Sequence, residues 1–146
     1  MKALLQRVAR ASVLVGDRCV GEIGPGLLVF LGLDRGDGRE QGARLVDRLL
    51  AYRMFADHLG RMNSSVADVN GGVLLVSQFT LSADTRKGLR PGFSSAMPPA
   101  EAEPLYDWML ATLRARHPLV AAGEFGADMQ VSLVNDGPVT FLLEVS

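Results

Sequence analysis

The sequence predicts a single α+β domain, and three observations lead to this fold class. The chain has 146 residues, the size of one domain that buries roughly two thirds of the surface of its unfolded form. Both ends of the chain carry strand-like patterns, whereas two segments between them have apolar residues at helical spacing. No linker or internal repeat interrupts this order, so residues 1 to 146 are expected to fold as one domain.

Residues 2 to 33 are predicted to be β-structure. Strands are expected at Leu4 to Ala9, at Ser12 to Val15 and at Gly26 to Leu33, because apolar and β-branched residues dominate these runs. The segments Gly16-Asp17 and Gly24-Pro25-Gly26 separate the strands as turns, since glycine and proline favour the backbone angles of turns.

A first helix is predicted from Arg39 to Phe55, with Asp37 as the candidate N-cap. Its inner face is formed by side chains at helical spacing, namely Val46, Leu49, Leu50 and the aliphatic stem of Arg53. The polar segment His58 to Arg61 contains a glycine and is predicted to be a turn.

A central strand and a second helix are expected next. Val73 to Val76 is continuously apolar, which is typical of a strand that is buried on both faces. In the following helix one face carries Leu105, Trp108, Met109 and Thr112. Pro104 is expected in the first turn of this helix, because a missing N–H group costs nothing there.

Two strands, Met129 to Val134 and Val139 to Val145, are predicted to close the chain. The residues between them, Asn135 to Pro138, have the composition of a plain hairpin turn. From these residues alone the hairpin is the favoured interpretation, and it leaves open whether the turn also has a function.

Composition excludes several classes of protein. A net charge of −1 without a basic stripe argues against binding of nucleic acid through non-specific attraction to phosphates. The apolar runs are far shorter than the ~20 residues of a membrane span, and Gln6 and Arg7 interrupt the N-terminal run where a signal peptide would be apolar. Cys19 is the single cysteine, expected as a small apolar residue in a strand, so we expect no internal disulfide and a cytoplasmic location.

The sequence offers few catalytic side chains. It has no G-x-S-x-G motif, no H-E-x-x-H motif and no Cys/His cluster, so no metal site is expected. His58 and His117 are predicted to be surface residues. Ser77 and Thr80 supply hydroxyl groups, but residues three apart on a strand point to opposite faces, so at most one of them lines a given pocket. Thr80 would need an activating base to act as a nucleophile, and none is near it in the sequence.

Two motifs nevertheless connect this chain to a known family. Ser77–Thr80 (S-Q-F-T) follows the central strand, and Asn135–Thr140 (N-D-G-P-V-T) lies between the last two strands. Together they resemble the D-aminoacyl-tRNA deacylases, homodimeric enzymes that hydrolyse the ester between a D-amino acid and tRNA. The resemblance extends over essentially the whole chain and includes Gln6–Val8, Gly21–Gly24, Arg61–Asn63, Arg90–Phe93 and Ala127–Val131. Gly92 departs from the family pattern, which more often has a polar residue there.

The fold implied by this resemblance is a layered β/β/α arrangement, with a barrel-like sheet and helices packed on one side. The resemblance also implies that the Gly137-Pro138 bond is cis and that its carbonyl groups enter the active site of the other subunit of a homodimer. Such a backbone filter rejects L-amino acids sterically, accepts any D-amino acid, and cannot exclude glycyl-tRNA, because glycine has no Cβ. Gly137 and Pro138 are thus expected to be a chiral filter and not catalysts.

Catalysis in this family is assisted by the RNA itself and needs no cofactor. The resemblance implies that the motif of Ser77, Gln78, Phe79 and Thr80 holds the ester, with the N–H groups around Phe79 and Thr80 as oxyanion donors and Gln78 orienting the ester. Met129 is expected to be a wall of the pocket, together with Phe79. Arg7 is the candidate for holding the Gly137-Pro138 turn in place.

The local basic cluster Arg86, Lys87 and Arg90 has two interpretations. By itself it is most simply a solvated surface loop. Because it follows the S-Q-F-T motif, it is also a candidate for contacting the acceptor end of tRNA.

Two other functions stay open on the residues alone. A non-catalytic nucleic-acid-binding module is disfavoured by the near-zero charge and by the lack of aromatic residues interleaved with basic ones. A small-molecule esterase would use Thr80 as its nucleophile. Neither a membrane nor DNA is expected as a partner.

Overall fold

The computed structural model describes the chain from Met1 to Ser146 and contains eight strands and two helices. In chain order they are β1 (Lys2–Val15), β2 (Arg18–Ile23), β3 (Gly26–Gly32), α1 (Arg39–Ala51), β4 (Phe55–Ala56), β5 (Met62–Ser64), β6 (Gly72–Ser77), α2 (Pro99–Arg116), β7 (Val120–Ala122) and β8 (Gln130–Glu144). Neither helix combines the length and the apolar character that a membrane crossing requires.

Strand β1 pairs antiparallel with three other strands. Along one edge it pairs with β8 over almost its entire length. Along the other edge its N-terminal half pairs with β3 and its C-terminal half with β2. The sequence prediction had divided β1 into two strands and had given no bounds for β2, which contains a glycine and two charged residues and so lacks a clear strand pattern.

The remaining strands extend the sheet and bring its ends together. β3, β6 and β7 are parallel to one another, so the sheet is mixed. β2 approaches β7 so closely that a Cβ added at Gly21 would overlap the Ala122 carbonyl oxygen. The result is a nearly closed, barrel-like sheet in a single domain, which confirms the predicted α+β fold class.

Side chains that alternate along the strands form two apolar layers. One layer lies inside the barrel and comprises Val8, Ala11, Val13, Ile23, Leu28, Leu74 and Val76. On the opposite face α1 and α2 pack against residues such as Leu27, Val29 and Leu75. Both helices therefore lie on one side of the sheet, and β6 is buried on both faces, as predicted.

The helix boundaries differ from the prediction at three points. α1 ends at Ala51, four residues earlier than predicted, and its N-cap position is occupied by Gly38. The Asp37 carboxylate instead accepts a hydrogen bond from the Asp34 N–H group at 2.7 Å and lies 2.9 Å from the Met1 amino group. Pro104 is the sixth residue of α2 and not in its first turn, because Pro99 already occupies the first position. The carbonyl that Pro104 leaves unpaired lies on an exposed part of the helix, where water can bind it.

The predicted C-terminal hairpin is wrong. The segments before and after Asn135–Pro138 both pair with β1 in the same direction, so the chain does not reverse and β8 is one long strand. Gln6 pairs with Thr140 and Val8 with Asn135, which leaves Asp136–Val139 opposite Arg7 alone. We call Asp136–Val139 the bulge, because extra residues on one strand of a pair are expelled from the ladder in this way.

Candidate active site

The S-Q-F-T motif forms the junction between β6 and a 3₁₀ turn, Phe79–Ser82. The Gln78 N–H group donates to the Leu31 carbonyl at 2.7 Å, which fixes the junction to β3. The next two N–H groups, those of Phe79 and Thr80, have no acceptor within the protein, as is usual for the first donors of a helical turn. Two backbone donors therefore remain free side by side at the end of a buried strand.

Phe79 lines a cavity of about 690 Å³, which we call the turn cavity, and Thr80 follows Phe79 in the chain. Ser77, Gln78, Phe79 and Met129, all predicted site residues, line it. Its size is typical of small-molecule sites, and most of its lining is apolar.

Thr80 does not line the turn cavity. Only Ser77 of the two hydroxyl residues is in the strand, so the expected alternation of Ser77 and Thr80 across a strand does not apply. The Thr80 hydroxyl accepts a hydrogen bond from the Gln78 side-chain amide at 2.5 Å and has no contact with a base. In the structure the Thr80 hydroxyl is therefore bonded to Gln78.

Sequence reasoning missed several residues of the turn cavity. Phe93 contacts Phe79, with ring centroids 5.2 Å apart, and the Arg90–Phe93 segment of the family resemblance was the available signal for it. Met97 and Phe125 also line the cavity, but as isolated apolar residues they gave no signal in the sequence. Met129 is positioned by Gly123, since a Cβ on that glycine would lie 2.7 Å from the Met129 sulfur.

The bulge is held by the side chains of its neighbours. Arg7 Nε donates to the Asp136 carbonyl at 2.9 Å, and Arg7 Nη1 donates to the Met54 carbonyl at 3.1 Å. Asn135 Nδ2 donates to the carbonyls of Arg7 at 3.0 Å and Val139 at 3.1 Å. Arg7 thus makes a contact of the kind predicted for it, and both ends of the bulge are fixed.

Gly137 and Pro138 are exposed at the tip of the bulge, and the bond between them is cis. A Cβ at position 137 would overlap the Asn135 amide oxygen, so a larger residue there would displace the side chain that holds the bulge. No residue of the bulge lines the turn cavity. Asp136 and Arg7 instead line a second cavity of about 660 Å³, which contains no residue of the S-Q-F-T motif.

The three cations of the predicted tRNA-contact loop differ in their pairing. Arg86 forms two hydrogen bonds with the Asp84 carboxylate, at 2.8 and 2.9 Å, and these bonds hold the pKa of Asp84 far below its usual range. Lys87 and Arg90 are exposed and have no ion pair. Backbone hydrogen bonds between Asp84 and Gly92 close the loop at its base.

The two histidines do not meet in a site. His58 is exposed in a turn, as predicted. The prediction for His117 is wrong, because its side chain is buried and its Nε2 lies 2.7 Å from the Gly71 carbonyl. No three side chains of His, Cys, Asp or Glu converge as metal ligands would. Cys19 lies in β2, as predicted, but is exposed.

Comparisons of the sequence with known proteins agree with this arrangement of motifs. The family model described as D-Tyr-tRNA(Tyr) deacylase matches residues 4–144. A D-aminoacyl-tRNA deacylase from Azotobacter vinelandii is 62% identical over 144 residues, which cover 99% of both chains. A D-aminoacyl-tRNA deacylase from Cellvibrio japonicus is 59% identical over 145 residues and also covers 99% of both chains.

Two solved structures are similar over nearly the whole chain. One, described as c-Myc DNA Unwinding Element Binding Protein, has a TM-score of 0.95 and 44% identity and covers 99% of this chain and 98% of its own. The other, described as a probable eukaryotic D-amino acid tRNA deacylase, has a TM-score of 0.81, 20% identity and 97% coverage of both chains, and shows the shared fold. On the family model and the curated relatives, this chain belongs to the D-aminoacyl-tRNA deacylases, hydrolases of the aminoacyl-tRNA ester bond.

Proposed function

We propose that this protein hydrolyses the ester bond of D-aminoacyl-tRNA and releases the free D-amino acid and the tRNA. The observation that carries the proposal is the pair of free N–H groups, of Phe79 and Thr80, next to a cavity lined by the rest of their motif. Such donors stabilise the negative charge that develops on a carbonyl oxygen when an ester is attacked. The curated relatives named after this activity are similar along the entire chain.

The proposed mechanism uses few protein side chains, because the aminoacyl ester is already activated. Water adds to the ester carbonyl carbon, the bond to the ribose oxygen breaks, and that oxygen takes up a proton. The neighbouring ribose hydroxyl assists by hydrogen bonding to the water or to the ester. Gln78 orients the aminoacyl end of the substrate, since Thr80 engages its amide nitrogen and leaves its amide oxygen free to accept a hydrogen bond from the ribose hydroxyl or the α-ammonium group. No covalent acyl-enzyme and no cofactor are involved.

The bulge is proposed to be the filter that rejects L-amino acids. Its exposed backbone is fixed by Arg7 and Asn135, so a carbonyl placed against an L-side chain has little freedom to move aside. Repulsion of this kind acts on every L-amino acid, whereas an attractive pocket gains only about 1–3 kcal/mol per methylene and for one side chain at a time. Glycyl-tRNA has no Cβ to exclude and is proposed to be a substrate.

We further propose that the filter acts across a homodimer. The bulge lines no part of the turn cavity of its own protomer, which is consistent with a role in the turn cavity of a second copy. A monomer would then lack its filter. Sedimentation analysis is expected to give a dimer, and a monomer that still discriminates D from L substrates would contradict this assignment.

Release of labelled amino acid from charged tRNA tests the proposed function directly. The purified protein is expected to deacylate D-aminoacyl-tRNA and to leave the matched L-aminoacyl-tRNA intact. The Thr80→Ala variant is expected to retain most of this activity. A different result would favour a small-molecule esterase with Thr80 as its nucleophile. In that case the wild-type protein would hydrolyse simple esters, and the Thr80→Ala variant would have no activity.

A non-catalytic nucleic-acid-binding protein is the second candidate. One observation favours it, namely that a structure 44% identical to this chain is named for binding a DNA element. The net charge of −1 and the absence of a basic stripe argue against it. Tight binding of DNA without any deacylation would support this alternative over the proposed activity.

A further inference from the structure

We infer that Arg35 binds the phosphate that precedes the terminal nucleoside of the tRNA acceptor end, an assignment that rests on the proposed function. Arg35 lies in the turn after β3, where the Asp37 N–H group donates to the Asp34 carbonyl at 3.1 Å. Two charged residues line the turn cavity, Arg35 and Asp128, so Arg35 is its only cation. None of the predicted RNA-contact residues, Arg86, Lys87 and Arg90, lines this cavity.

The position of Arg35 is fixed at two points. Its backbone N–H group donates to the Ser95 carbonyl at 2.9 Å, and its side-chain Nε donates to the Ser94 carbonyl at 2.6 Å. The two terminal guanidinium nitrogens have no partner, and no carboxylate lies within ion-pair distance. This differs from Arg86 and Arg7, whose guanidinium groups are occupied by Asp84 and by the bulge.

A planar guanidinium with two free nitrogens matches the two non-bridging oxygens of a phosphodiester. Because Nε is already bound to protein, little side-chain entropy is lost when the free edge binds an anion. The aminoacyl group carries a positive ammonium and the nucleoside is neutral, so the phosphate is the only group near the ester that complements Arg35. The RNA strand is thereby assigned a direction, with its end in the turn cavity and its backbone leaving past Arg35.

Binding of two non-hydrolysable nucleosides measures this contact. One probe is adenosine that carries a D-aminoacyl group through an amide in place of the ester, and the other is the same molecule with a 5′-phosphate. The phosphate is expected to tighten binding to the wild-type protein about tenfold, the order of magnitude of one charge-assisted hydrogen-bonded contact. In the Arg35→Gln variant this gain is expected to disappear, while affinity for the probe without phosphate is unchanged.

Two further variants control for charge and for folding. Arg35→Lys keeps the charge but loses the hydrogen bond to Ser94 and the planar guanidinium group. We therefore expect this variant to keep only part of the gain in affinity that the phosphate gives. Arg114→Gln removes an exposed, unpaired cation in the last turn of α2, whereas the turn cavity is at the start of this helix. This variant is expected to keep the full gain in affinity from the phosphate. Unchanged affinity of Arg35→Gln for the probe without phosphate shows that the turn cavity is folded.

The salt dependence of tRNA binding gives an independent measurement. Loss of one phosphate contact on a single strand lowers the slope of log affinity against log salt by roughly 0.7. A phosphate gain that persists in Arg35→Gln, or no phosphate gain in the wild-type protein, would overturn the assignment of Arg35 alone. Failure of both probes to bind at all would overturn the proposed function and the assignment with it.

Discussion

The S-Q-F-T turn and the bulge are both short irregular segments beside regular strands, but different kinds of hydrogen bond hold them in place. At the turn, the N–H groups of Phe79 and Thr80 are free, and main-chain hydrogen bonds hold the segment in place. At the bulge, the side chains of Arg7 and Asn135 donate to the carbonyls of Asp136 and Val139 and hold the exposed Gly137 and Pro138 between them. Free N–H donors suit a site where negative charge develops on the substrate, whereas fixed carbonyls suit the exclusion of an L-side chain. The proposal therefore assigns hydrolysis to the turn and the choice between D- and L-amino acids to the bulge.

The largest expected effect concerns the turn and its RNA substrate. If the ribose hydroxyl next to the ester assists catalysis, a tRNA that ends in the 2′-deoxy nucleoside should be hydrolysed ~10²–10³-fold more slowly, the typical value of one positioned group. Thr80→Ala should cost much less, because the Thr80 hydroxyl contacts Gln78 and not the cavity. Single-turnover rates with both substrates measure this difference, and an acyl group found on Thr80 by mass spectrometry would replace this mechanism with covalent catalysis.

The next effect tests whether the bulge selects by exclusion. Glycyl-tRNA and D-alanyl-tRNA should both be hydrolysed, and L-alanyl-tRNA should be nearly untouched, although it differs from glycyl-tRNA by one methyl group. An attractive pocket would give at most the ~10–200-fold difference that one methylene supplies, or the reverse order. Parallel deacylation time courses decide between these cases. Equal survival of glycyl-tRNA and L-alanyl-tRNA would refute steric selection by backbone.

A smaller effect is expected when the support of the bulge is removed. Arg7→Ala deletes the charged donor to the Asp136 carbonyl, an interaction of about 1.5–3 kcal/mol. Discrimination between D- and L-alanyl-tRNA should fall by roughly 10–100-fold. The rate on D-alanyl-tRNA should change less, because the turn is untouched.

The neighbouring exposed cation Arg10 provides a matched control for this experiment. Arg10→Ala should leave both rates unchanged, since the Arg10 side chain forms no ion pair and no hydrogen bond in the structure. If Arg7→Ala slows hydrolysis of D- and L-alanyl-tRNA equally and so preserves discrimination, the bulge is not a separate element for substrate selection.

The smallest effect concerns the wall of the turn cavity. Gly123→Ala should push the Met129 sulfur away from its position against residue 123 and so reshape the cavity. KM for a bulky substrate such as D-tyrosyl-tRNA should rise by up to ~10-fold, with a smaller change for D-alanyl-tRNA. Gly24→Ala is the control, because no atom lies within 4 Å of the added Cβ. A KM for D-tyrosyl-tRNA that is unchanged in Gly123→Ala would show that Met129 does not shape the pocket.

The same contrast explains what could be predicted from the sequence. The position of the S-Q-F-T turn at the end of a buried strand was correct, because a continuous apolar run followed by polar residues is a local signal. The bulge was predicted as a hairpin, because Asn-Asp-Gly-Pro is suited to either structure and only the pairing of both flanks with β1 distinguishes them. His117 was misplaced for a related reason, since its partner Gly71 is 46 residues away in the chain.

The bulge has one more consequence, which follows from the place of β8 at the margin of the sheet. β8 pairs with β1 on one side only, so its outer edge offers unpaired N–H and C=O groups along a strand of 15 residues. Long, flat edges of this kind are templates on which other chains can add as further strands and aggregate. The bulge divides this edge into two short stretches and places a proline, which has no N–H group, between them. We therefore expect the segment proposed for substrate selection also to limit edge-to-edge aggregation of the protein.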